Sequence, residues 1–114
     1  MNKWLEYCMT KRGTSLTNPF GPEVDVMKVG SKMYALFSSG DAPTVSLKCE
    51  PFRADSLREQ YPEIKPGYHL NKKHWNTVSL DGNLTDEEIE AMIDHSYDLV
   101  ILGMTKTERS NIGT

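Results

Sequence analysis

The sequence is poor in the features that mark specialised protein classes. It has only two cysteines, Cys8 and Cys49, and no CxxC pair. That excludes a disulfide-dense scaffold and the usual zinc ribbons, and points to two reduced, buried thiols. No apolar run approaches the roughly 18 residues that a membrane span needs; the longest is Leu99-Val100-Ile101-Leu102. Glu6 interrupts the N-terminal segment, so no secretory leader is expected, and the reading is a soluble, cytoplasmic protein without a membrane partner. There is no GxxxxGK[ST], GxGxxG or GxSxG pattern. A surplus of positive charge is missing too: 13 Lys+Arg face 16 Asp+Glu, for a formal net charge of −3. That excludes a polybasic coat, so any anion-binding face must be local. At 114 residues the chain is expected to be one domain that folds without a metal or disulfide staple.

What is present reads as alternating helices and short strands. Trp4, Leu5, Cys8 and Met9 form a one-sided stripe over a helix at 3–12, with Asn2 as its cap and Gly13 as its stop. The turn-rich Thr17-Asn18-Pro19-Phe20-Gly21-Pro22 forbids a long helix or a central strand. Period-2 alternation then predicts strands at 24–29 and 32–37, joined by a Gly30-Ser31 turn of type II′. A third strand is expected at 44–49. Pro51 opens a second helix, which Pro62 ends. Further strands are expected at 68–70 and 75–80. Thr85 and Glu88 form a capping box for a helix whose stripe is Ile89, Met92, Ile93, Tyr97, Val100 and Ile101. Residues 1–104 form the domain in this reading, and 105–114 a polar, flexible tail. The fold class expected is α+β: a single antiparallel sheet with helices packed on one face. The other face of such a sheet stays open to a partner.

Charge is unevenly placed along the chain. Seven acids and no Lys or Arg occupy Asp81–Asp98, while Lys65, Lys72 and Lys73 and no acid occupy Ile64–Leu80. The basic stretch also holds Tyr68, His69, Asn71, His74, Trp75 and Asn76. Cations interleaved with aromatics and amides suit phosphate contact with stacking or hydrogen bonding to nucleic acid. A solvated loop whose aromatics belong to the core fits the same composition. The acids have an ordinary explanation. Asp86, Glu87 and Glu88 complement the helix dipole, and Glu90, Asp94 and Asp98 lie off the apolar stripe. His69 and His74 have no recognised metal spacing, and Asp94-His95-Ser96 is no triad, because neighbours on a helix point apart. No catalytic constellation, metal site or cofactor motif emerges.

The long block Leu57-Arg58-Glu59-Gln60-Tyr61-Pro62-Glu63-Ile64-Lys65-Pro66-Gly67-Tyr68-His69-Leu70-Asn71-Lys72-Lys73-His74-Trp75-Asn76-Thr77-Val78 resembles the signature of the MmcQ/YjbR family. So do Pro19-Phe20-Gly21-Pro22, Lys28 to Leu36, Leu47-Lys48-Cys49-Glu50-Pro51 and Asp94 to Val100, in the family's order. The resemblance implies a small bacterial α+β protein with a CyaY-like (frataxin-like) fold. It also implies DNA binding through a double wing of two β-hairpins. Carried onto this chain, the wings are the Gly30-Ser31 hairpin and the stretch around Asn71-Lys72-Lys73-His74. Lys32, Lys65, Lys72 and Lys73 would contact phosphates, and Tyr68, His69, Asn71, His74 and Asn76 would complete the DNA-binding set. The hairpin turn departs from the two glycines common in the family, but serine is tolerated there. Iron-handling relatives of the fold use an acidic first helix. Here that helix carries Lys3, Lys11 and Arg12 against Glu6 alone, which discounts iron. A monomer is expected. The alternative reading is a non-catalytic protein- or small-molecule-binding module that uses the Tyr68–Trp75 surface.

Overall fold

A computed structural model describes residues 2–40, 42–68 and 70–113. Its elements are α1 (Lys3–Met9), β1 (Thr14–Thr17), β2 (Val24–Val29), β3 (Lys32–Ser38), β4 (Thr44–Lys48), α2 (Pro51–Gln60), β5 (Ile64–Pro66), β6 (Trp75–Ser79), α3 (Asp86–Leu102) and α4 (Lys106–Asn111). The strands form one six-stranded antiparallel sheet in the order β1-β2-β3-β4-β6-β5. The fold is therefore α+β, as the alternation of the strands implies. Cross-strand register sorts the side chains into two faces. Met27, Ala35, Leu47 and Asn76 share one row and Phe37, Val45, Val78 and Ile64 another. The apolar members of both rows are buried in one core with Trp4, Leu5, Cys8, Ile89, Ile93 and Val100 from α1 and α3. A register shift after Met27 leaves Tyr34 as an extra residue in β3, so Tyr34 and Ala35 are both fully buried. Tyr34 uses its hydroxyl on Thr14 Oγ1 (2.8 Å) and the Cys8 carbonyl (3.3 Å), and its ring meets Tyr97 edge-on.

The caps explain the helix starts. The Asn2 side chain accepts from the Trp4 and Leu5 amides, Glu50 from Phe52 and Arg53, and Thr85 and Glu88 close the expected capping box. Ser96 is buried on α3 and staples it to two strands. Its hydroxyl donates to the Tyr34 carbonyl at 2.6 Å and accepts the Lys48 amide at 2.9 Å. Several boundaries differ from expectation. The first helix ends at Met9, which is exposed; on α2, Phe52 projects outward at 80 % exposure. Strand β1 forms between the first helix and the turn-rich passage, where no strand was expected. The strand expected at 68–70 lies instead at Ile64–Pro66. The tail folds into α4, with its own capping box from Thr105 and Glu108. Behind α4, Ile112 packs against the core beside Gly13, whose φ of +76° and missing Cβ leave room for it. No helix of the described residues is long and apolar enough to cross a membrane.

Candidate nucleic-acid interface

Two hairpins frame the basic stretch. In the first, β2 and β3 close on Val29 opposite Lys32, and Gly30 takes the positive φ of +60° that a primed turn needs at its first position. In the second, β5 and β6 are joined by residues 67–74. The Gly67 amide donates to the Trp75 carbonyl at 2.8 Å. A Cβ on Gly67 would fall 2.7 Å from Trp75 Cβ, so the approach requires glycine. The loop is then tied to itself. Lys72 Nζ donates to the Gly67 carbonyl at 3.0 Å, and Asn71 Oδ1 accepts the Lys73 amide at 3.0 Å. His74 is joined to the neighbouring β4 end, where its carbonyl accepts the Cys49 amide at 2.7 Å.

Arg58 of α2 holds this second hairpin from behind. Its guanidinium donates to Asn76 Oδ1 at 2.6 Å, to the Trp75 carbonyl at 3.1 Å and to the Lys72 carbonyl, and pairs with Asp55 at 3.4 Å. The rigid planar fork suits this three-way contact; a lysine would not reproduce it. No local pattern marks Arg58 for this role, because its partners lie 14 to 18 residues away.

The expected contact residues divide accordingly. Lys32, Lys65, Asn71, Lys72 and Lys73 are exposed, and His74 is half-buried. Asn76 is 2 % exposed with its oxygen held by Arg58, so it positions the loop and does not reach a ligand at the surface. Tyr68 is exposed, and its amide donates to Thr77 Oγ1 at 3.1 Å, which lays the loop over the sheet face away from the helices. That face is thus partly covered rather than wholly open. His69 lies outside the described residues. Tyr68 and Trp75 do not share a pocket: Tyr68 lines a cleft with Phe20, Val24, Ser38 and Leu70, and Trp75 a separate hollow.

That second hollow, of about 350 Å³, lies where Lys32 and its neighbours in the first hairpin meet Lys48, Trp75 and the end of α3 at Val100 and Gly103. The strand register agrees: the Lys32 end of β3, the Lys48 end of β4 and the Trp75 end of β6 lie side by side. Among the described residues, none of Lys32, Lys48, Lys65, Lys72 and Lys73 has a carboxylate within salt-bridge distance, whereas Lys3 pairs with Asp86 and Lys11 with Asp94 on the helix side. The thiols are poor nucleophiles. Burial pushes the Cys8 pKa up to about 11 and raises that of Cys49. His95 is shifted down by burial and by Arg53, and its Nε2 accepts the Glu50 amide at 3.4 Å. No three His, Cys, Asp or Glu among the described residues gather at metal-ligand geometry.

Comparison with known proteins agrees with this architecture. A YjbR family model matches residues 9–99. The uncharacterised Escherichia coli K12 protein YjbR is 38 % identical over 98 residues, covering 85 % of this chain and 83 % of its own. The uncharacterised YbdF of E. coli O157:H7 is 38 % identical over 95 residues, 82 % and 78 % of the two chains. A crystal structure of a Deinococcus radiodurans protein with a DUF419 domain superposes with a TM-score of 0.89 at 42 % identity, over 96 % of this chain and 85 % of that one. A Pseudomonas syringae crystal structure superposes with a TM-score of 0.76 at 34 % identity, over 87 % and 98 %. Sequence block, family match and sheet topology converge: the chain belongs to the YjbR family.

Proposed function

We propose that this protein binds DNA without catalysing a reaction on it, gripping the phosphate backbone between its two hairpin wings. The observation that carries the reading is the hollow beside the hairpins, lined by Lys32 and Lys48, neither of which has a carboxylate within salt-bridge distance among the described residues. Lys32 from the first wing and Lys72 and Lys73 from the second supply point charges for phosphate oxygens, with Lys48 at the floor and Lys65 on the flank. Asn71 and His74 add hydrogen-bonding groups beside them. Arg58 and Gly67 set the second wing's shape from within. Phosphate contacts of this kind position a protein on the duplex and carry no sequence information by themselves.

The test is an anisotropy titration of a labelled DNA duplex at low and moderate salt. Binding is expected at low salt and weakens as salt rises, because few lysines are engaged and each releases counterions. Lys72→Ala with Lys73→Ala should weaken it without unfolding the protein. Absence of binding to any duplex at low salt would overturn the reading.

A further inference from the structure

The sheet face away from the helices adjoins the wing site and shares Lys48 and Lys65 with it. Register places Val26, Leu36, Ser46, Thr77 and Lys65 in one row across the sheet face away from the helices. Two-residue alternation adds Lys28 and Lys48 to that face. The strands thus send three lysines and no acid to it. At its far end from the Gly30 turn, Phe20 and Tyr68 stand 63 % and 71 % exposed. They line a cleft of about 360 Å³ with Val24, Ser38 and Leu70. The nearest acids in sequence are Glu23, at the rim, and Asp25, which faces the other way and accepts the Asn18 amide at 2.8 Å.

We propose that this face takes the unpaired bases of a single-stranded nucleic acid, stacked on Phe20 and Tyr68, while Lys28, Lys48 and Lys65 follow its backbone. The inference rests on the nucleic-acid reading above for its charge complementarity, and adds Lys28, the aromatic end of the face and another strand state. The chemistry discriminates between strand states. In a duplex the base faces are already stacked and cannot lie on a protein ring. A single strand presents them, and aromatic rings on a basic sheet are the common platform for it. Ser38 on the same face offers a hydroxyl, whereas Ser46 is buried and shares a hydrogen bond of 2.9 Å with Thr77.

The experiment titrates the full chain against labelled oligo(dT), oligo(U), an abasic deoxyribose-phosphate strand of equal length, and a duplex, at low salt. Phe20→Ala with Tyr68→Ala should weaken both single strands by about tenfold or more, given the usual worth of one stacked base. The duplex should change less than about twofold, and thermal melting should confirm the fold. The abasic strand should bind weakly and ignore the double substitution. Either sugar supports the proposal, and the tighter arm names the strand. Three results overturn it: single strands that ignore the aromatic substitutions, an abasic strand bound as well as oligo(dT), or no binding of single strands. If the duplex still binds in those cases, the wing reading survives. If single strands bind through the aromatics and the duplex does not bind, the wing reading falls and this one stands.

Discussion

Single residues here do work that their sequence neighbours do not announce. Ser96 is fully buried yet satisfies a carbonyl and an amide from two different strands. Ser96→Ala leaves both groups without their partner, and a loss of about 1–3 kcal/mol in denaturant unfolding is expected. Arg58 is the counterpart at the interface. Arg58→Ala strips Asn76 Oδ1 and two carbonyls of a charged donor, so it should lower stability by a similar amount and also weaken duplex binding, although Arg58 touches no phosphate. Arg58→Lys should fail to restore binding, since one ammonium cannot span the three acceptors. Duplex affinity unchanged in Arg58→Ala would separate the loop's shape from its function. Neither role was legible in advance. The partners of Ser96 and Arg58 lie far off in sequence, and only the folded sheet brings them together. Asn76 shows the converse: an amide in a basic stretch reads as a contact residue, and the sheet turns it inward.

Among the elements, legibility followed periodicity. The β2–β3 hairpin and α3 carry strong period-2 and helical patterns with clear turn and cap signals, and both lie where those patterns place them. Strand β1 is four residues at a sheet edge, too short for a pattern, and its pairing with β2 decides it. Strand β5 contains Pro66, which disguises it; proline is tolerated because β5 is the other edge. The α4 helix did carry a Thr105–Glu108 capping signal, hidden by a polar composition with little to bury beyond Ile112. Ile112→Ala should therefore lower the melting temperature, by about 1–3 kcal/mol in stability for a half-buried side chain. The contact between α3 and the start of α2 adds a pH effect. His95 is held neutral in the fold, its pKa lowered by burial and Arg53 against the pull of Asp98 and Glu50. Protons then favour the unfolded chain, so this contribution is complete above a pH of about 6.5 and is lost as pH falls below it. Melting curves of His95→Gln should show a shallower decline between about pH 7 and pH 5 than the parent.

At the scale of the whole molecule, a net charge of −3 conceals two unlike sides. Two of the six acids of α3, Asp86 and Asp94, meet Lys3 and Lys11 on the helix side, which leaves that side the acidic one. The lysines of the hairpins and of the opposite sheet face have no such partners among the described residues. The imbalance between the two stretches was readable from the sequence. Its convergence with Lys32 and Lys48 was not, since that depends on both hairpins ending at one edge of the sheet. The most direct measurement is the salt dependence of duplex binding for the parent and for Lys72→Ala with Lys73→Ala. The account predicts a straight line of log affinity against log salt whose slope shrinks by about two units on removing two phosphate contacts. An unchanged slope would contradict the wing's role in holding the backbone.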